Sequence, residues 1–476
     1  MAGRIPLLAA LVILAAQIHA QTRESKIDAL LGTCFERSQF MGSALVAEGG
    51  TIVFEKGYGY ADLEWEIPNA PDTKFRLGSI TKQFTSLLIM QEVQKGTIRL
   101  DAPVVTYLPG YPSPQCEKVT IRHLLTHTSG IPNYTDFINF RVERRQYTLD
   151  QLVGTFSGKP LDFEPGTRWK YSNSGYVLLG AILEKVTGTS YERLLALRIL
   201  EPLGMKNTGY DHGEVILPKR ASGYERIGRL VNSSFIDMSV PFSAGALYST
   251  VEDLLTWDRA LYTDKLLPDS LKKIYFTPVL NNYAFGWGVQ KQPLGISSDS
   301  TLFIFHGGGI NGFNTLIVRI PARQQLIVLL NNTGNAPLME IARSIAGILY
   351  DRPYAAPRRS IGQALGESIA KVGVAKALES YPSMVKDTAE YILDESAMNG
   401  LGYQLLQGGK TKDAIEIFKL NVAAFPKSWN VYDSLGEAYM TDGEKKLAIL
   451  NYETSLALNA GNTGAAEALK KLKAAP

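Results

Sequence analysis

Phe75-Arg-Leu-Gly-Ser79-Ile-Thr-Lys82-Gln-Phe-Thr-Ser-Leu-Leu88 sets a serine and a lysine one helical turn apart at the head of an apolar run. Residues three apart on a helix share a face, so the hydroxyl and the amine point the same way. Apolar residues at Phe84, Leu87, Leu88 and Met90, with Gly96 beyond, predict a helix over Thr81–Lys95. The Ser-x-x-Lys spacing recurs at Ser270/Lys273, Ser368/Lys371 and Ser383/Lys386, so the spacing alone identifies nothing. Only Ser79 follows a glycine and opens a largely apolar helix, where free N–H groups favour an anion. The other three lie in charged or amphipathic segments and read as solvated faces.

Two further clusters lie downstream of it. Tyr171-Ser-Asn173 is the only Tyr-x-Asn in a chain with 23 tyrosines, and it opens a helix predicted over Tyr176–Val186. His306-Gly-Gly-Gly309 follows the apolar strand Leu302–Phe305, and its glycines let backbone N–H groups approach a ligand closely. A serine hydroxyl needs a base before it attacks a carbonyl. Lys82, if burial leaves it partly neutral, and Tyr171, as a phenolate beside lysine charge, are both candidates, and the sequence leaves the choice open.

Working outward, Ser43–Glu48 and Thr51–Glu55 flank Gly49-Gly50 as a β-hairpin. Strand patterns return at Phe285–Val289, Leu302–Phe305, Phe313–Val318 and Leu326–Leu330, followed by a helix over Leu338–Tyr350. Strands at both ends with helices between predict an α+β fold: one antiparallel sheet built from the two ends, flanked by helices, with a helical subdomain inserted.

The three clusters, in this order, resemble the serine hydrolases of the penicillin-recognising family, especially class C β-lactamases and their esterase and D-peptidase relatives. The resemblance extends over Ser43–Tyr350 and includes Arg122-His-Leu-Leu-Thr-His-Thr-Ser-Gly130 and Pro202-Leu-Gly-Met205. It implies a β-lactamase/transpeptidase-like α/β sandwich in which Ser79 is the nucleophile and Lys82 and Tyr171 activate it. Asn173 would orient substrate or lysine. His306 stands where the family carries the lysine of Lys-Thr-Gly, Gly308 matches its glycine, and Gly309 would supply one oxyanion N–H with Ser79 supplying the other. A neutral histidine anchors a substrate carboxylate less well than lysine does. The resemblance therefore favours ester or peptide acyl transfer over efficient β-lactamase or D-Ala-D-Ala carboxypeptidase activity. No metal or organic cofactor is implied. His123 and His127 lie four apart, but no glutamate sits beside His123 and no third ligand is evident, so both read as structural.

Past Tyr350 the chain reads as helical, with a self-similarity of 34 residues: Leu401-Gly402 with Leu435-Gly436, Ala414 with Ala448, Phe418 with Tyr452. This resembles the tetratricopeptide repeat, with a final helix after Thr463 as a cap and the helices from Ile361 to Met398 completing the stack. The expected organisation is a signal peptide at 1–20, a hydrolase domain at 21–352, connecting helices at 353–397 and repeats at 398–473. The apolar run Ile5–Ile18 after Arg4, with a small residue at Ala20, has the layout of an export signal and is too short to span a bilayer. Export to the periplasm or medium follows, with no stable membrane span after cleavage.

A net charge of +3 with no basic stripe argues against nucleic acid. Expected partners are a small ester, peptide or β-lactam substrate, and a protein or peptide ligand for the repeats. A non-enzymatic alternative is a penicillin-fold sensor or scaffold. Cys34 and Cys116 are the only cysteines, and their spacing leaves their pairing open.

Overall fold

The computed structural model describes residues 22–111, 117–138, 144–227 and 229–474. The expected signal peptide and Cys116 lie outside them.

Six strands form the central sheet: β1 (Gly42–Glu48), β2 (Thr51–Tyr58), β3 (Gly288–Pro293), β4 (Ser300–Ile310), β5 (Phe313–Ile320) and β6 (Gln325–Asn331). They are antiparallel in the order β3-β4-β5-β6-β1-β2, so the two ends of the fold meet where Gly42 faces Asn331. β1 and β6 are nearly continuous apolar runs because both faces of the sheet are covered. Leu45, Val328 and Leu330 join one core with the inserted helices, while Val46, Ile327 and Leu329 join the other.

On the second face lie α1 (Arg23–Glu36) and α5 (Leu338–Leu349), which bury Ile27, Leu31, Ile341 and Ile345. Cys34 belongs to this layer, and burial pushes its thiol up to about 12. On the first face α2 (Thr81–Lys95), α3 (Asn173–Thr187) and α4 (Val251–Ala260) pack around Phe84, Ile182 and Trp257. α2 is buried on almost every side, which is why its sequence lacks a polar face. Gly96 closes it in the left-handed conformation, as expected of a glycine stop.

Two strand expectations shift. The third begins at Gly288, because Gly286 turns the chain at φ +78. The glycine run lies inside β4 instead of following a strand.

Beyond residue 360 come α6 (Ile361–Val372), α7 (Glu395–Gln407), α8 (Thr411–Ala424), α9 (Trp429–Thr441), α10 (Lys445–Leu458) and α11 (Thr463–Ala474), with their own buried cluster. The 34-residue offset has a physical counterpart. A Cβ on Gly402 would meet the Phe418 ring at 2.4 Å, and one on Gly436 the Tyr452 ring at 3.1 Å. Each glycine therefore lets an aromatic of the next helix settle on its backbone, beside the fully buried Ala414 and Ala448. Gly362 of α6 makes the same kind of close approach to Ala397 of α7. Among the described residues no helix is long and apolar enough to cross a membrane.

Candidate active site

Ser79 sits in a single 3-10 turn, Gly78–Ile80, that feeds directly into α2. Gly78 takes φ +55, and a Cβ there would lie 2.9 Å from the Gly309 nitrogen. The Ser79 turn is thus pressed against β4, and Thr315 Oγ1 fastens it by donating to the Leu77 carbonyl at 2.7 Å.

Lys82 is fully buried and touches three oxygens: Ser79 Oγ at 3.0 Å, Asn173 Oδ1 at 2.8 Å and the Ala244 carbonyl at 2.8 Å. No carboxylate is among them. Burial therefore holds its pKa well below the ordinary lysine range. A neutral amine has two N–H bonds and one lone pair. In that form the amide oxygen and the carbonyl would accept the two protons, leaving the lone pair for the Ser79 hydroxyl. The lysines of the other three Ser-x-x-Lys matches are exposed, and this separates them from Lys82.

Tyr171 hydrogen-bonds Ser79, and its ring lies 4.9 Å from Lys82 Nζ. Burial raises the Tyr171 phenol well above its usual range. Asn173 is the first residue of α3, and its N–H donates to Asn133 Oδ1 at 2.9 Å.

His306 is also buried. Its Nδ1–H donates to the Gly307 carbonyl at 2.6 Å, and its Nε2 accepts from the Tyr283 hydroxyl at 2.8 Å. Burial, then the nearby Lys82, push its pKa down to about 3, so the ring is neutral with both nitrogens engaged. Gly308 and Gly309 point in opposite directions. A Cβ on Gly308 would strike the Leu77 carbonyl at 1.9 Å, whereas Gly309 faces open space. Gly308→Ala is expected to cost about 3 kcal/mol or more, because backbone cannot yield to overpacking, while Gly309→Ala stays within about 1 kcal/mol of wild type. Thermal melts of the two variants check this.

A cleft of about 110 Å³ opens above Ser79, lined by Gly78, Tyr134, Asn173, Ile236, Pro241, Ala244 and Gly309 among others. None of the described lining residues is charged. A larger cavity, about 390 Å³, lies at the Gly49-Gly50 turn beside Asp258 and Tyr262, and none of these chemical groups reaches it.

The two histidines of the 122–130 segment part company. His123 closes a capping box with Thr120 at the head of a short helix. His127 enters the site, its ring 4.2 Å from that of Tyr171 and 4.6 Å from that of Tyr283. Neither Tyr283 nor the Ala244 carbonyl carried any sequence signal, since each reaches the site only through the tertiary fold.

A buried lysine of a Ser-x-x-Lys pair, a tyrosine on the serine and an antiparallel strand along the cleft place the chain among the β-lactamase-fold serine hydrolases. The Beta-lactamase family profile matches residues 28–349, and the chain belongs to this family. It is 32% identical over 364 residues to penicillin-binding protein 4* of Bacillus subtilis (strain 168), covering 71% of this chain and 79% of that protein. Among solved structures it is similar to the octameric penicillin-binding protein homologue of Pyrococcus abyssi, with 30% identity, a TM-score of 0.61, and 69% and 77% of the two chains covered. The D-amino acid amidase of Ochrobactrum anthropi SV3 matches at 25% identity and a TM-score of 0.60, over 69% of this chain and 99% of that one.

Proposed function

We propose that the protein is an exported acyl hydrolase that forms an acyl-enzyme on Ser79 and acts on esters or amides lacking an anchoring carboxylate. The observation that carries the reaction is the Lys82 amine, buried without a counter-charge and 3.0 Å from Ser79 Oγ. Ser79 Oγ attacks the substrate carbonyl as Lys82 takes its proton. The oxyanion rests between the N–H groups of Ser79 and Gly309; one such donor is typically worth about 3 kcal/mol. As the tetrahedral species collapses, the proton passes from Lys82 through the Tyr171 hydroxyl to the departing alcohol or amine. Water then attacks the acyl-enzyme, the proton returns by the same path, and Ser79 is released with the acid as product. Burial opposes charge on both groups, which favours Lys82 over a Tyr171 phenolate as the base.

Substrate choice rests on His306 and the uncharged cleft. A neutral imidazole with both nitrogens engaged offers no cation to a substrate carboxylate. D-Amino acid amides and simple esters, which carry no carboxylate, suit such a site, and the amidase likeness adds weight to the amides. The C-terminal helices are read as two tetratricopeptide-like units whose ligand is a protein or peptide.

The test is an activity profile. p-Nitrophenyl esters and D-amino acid amides are expected to give kcat/KM at least about 100-fold above nitrocefin and D-Ala-D-Ala peptides, the cost of an unmet carboxylate being about 3 kcal/mol. Faster turnover of the carboxylate-bearing substrates would overturn this reading.

A further inference from the structure

His127 makes three contacts with residues 170–172, where the Tyr171-Ser172-Asn173 segment begins. Its carbonyl accepts from Lys170 N at 3.0 Å. Its Nδ1 accepts from Ser172 N at 3.2 Å, and its ring lies against Tyr171, between those two bonds. The residues after it extend the same contact. Ser172 Oγ donates to the Ile131 carbonyl at 3.0 Å, Ser174 Oγ to the Pro132 carbonyl at 2.7 Å, and Asn173 N to Asn133 Oδ1 at 2.9 Å. Residues 127–133 therefore form a template along which the Tyr-x-Asn segment is laid.

Three features mark His127 as the key of that template. It takes φ +58, a left-handed conformation that histidine and asparagine enter more readily than most residues. The acceptor role of Nδ1 puts the ring proton on Nε2, which has no protein partner although it is buried. A buried polar ring left half satisfied needs a reason to be there, since leucine or phenylalanine would fill the space without that cost. Burial keeps it from protonating, so the acceptor stays available.

We infer that His127 is a positioning residue: its Nδ1 fixes the Ser172 N–H and thereby sets the Tyr171 hydroxyl on Ser79 and the Asn173 amide on Lys82. This rests on the acyl-enzyme reading of the site. His127 itself does not line the cleft, so its loss acts through Tyr171 and Asn173.

The experiment compares His127→Asn, His127→Ala and His127→Phe in the full chain, with p-nitrophenyl ester turnover and thermal melts. Asparagine Oδ1 overlays the imidazole Nδ1 and tolerates the left-handed backbone, so His127→Asn is expected to keep kcat within about fivefold of wild type. Alanine and phenylalanine lose the acceptor. They are expected to lose kcat about 30- to 100-fold, a scale set by displaced catalytic groups, with KM within about twofold. Equal loss in His127→Asn and His127→Ala overturns the acceptor role, and so does full activity in His127→Phe. If neither acceptor-free variant folds, His127→Asn decides alone: near-normal kcat supports the inference and a loss above about 30-fold ends it. Fluorophosphonate labelling of wild-type Ser79 runs alongside. Its failure would sink the acyl-enzyme reading itself, a separate outcome from any His127 result.

Discussion

Ser79→Ala is expected to abolish turnover of every substrate class, with kcat falling by about 10⁴-fold or more, and to remove fluorophosphonate labelling while leaving the thermal melt near that of wild type. The size follows from the site: no second nucleophile neighbours Lys82, whose other partners are an amide oxygen and a carbonyl. Stability is spared because alanine fits the 3-10 turn and Ser79 is only partly buried. It also relieves Lys82 of one contact without leaving a buried charge. Full esterase activity in the purified variant would refute the assignment of the nucleophile.

Lys82→Met carries the second large effect. Methionine fills the space of the lysine stem but removes the base, so kcat is expected to fall by about 10³-fold with KM little changed. It also orphans the Asn173 oxygen and the Ala244 carbonyl, at about 1–3 kcal/mol each, so a lower melting temperature accompanies it. The pH profile is the sharper test. The base works only when neutral, so wild-type kcat/KM falls as pH drops through the lowered Lys82 pKa and is flat above it. The residual activity of Lys82→Met should lose that acid limb. Lys82→Arg, charged at every accessible pH, should be as inactive as Lys82→Met. An arginine variant with wild-type turnover would rule out Lys82 as the base.

Much of this was legible in the sequence because it is local. The Thr81–Lys95 helix carries its own stop at Gly96, and β1 and β6 declare themselves by nearly continuous apolar runs. Glycine context, the Tyr-x-Asn and chain order picked Ser79 from four equivalent spacings, and Lys82 is the one lysine of the four that is buried. What escaped the sequence is tertiary. His127 read as structural, like His123, because no local pattern tells a capping imidazole from one laid against a tyrosine 44 residues later. The glycine run read as lying beyond its strand, because glycine weakens a strand unless another backbone approaches, and the Leu77 carbonyl does so at Gly308. The likeness to a lysine position suggested a pocket role for His306, yet its two nitrogens are spent on Tyr283 and the Gly307 carbonyl.

The pairing of β1 with β6 governs when the enzyme can come into being. Ser79, Lys82 and Tyr171 are all synthesised before residue 172, but the cleft also needs Gly309, and the sheet that presents it closes only when Asn331 meets Gly42. Contacts so distant along the chain are formed late and slowly, since the loop between them must be ordered before the pairing stabilises anything. A nascent chain thus carries Ser79, Lys82 and Tyr171 without the assembled cleft for most of translation. The reaction centre arrives with the last strand.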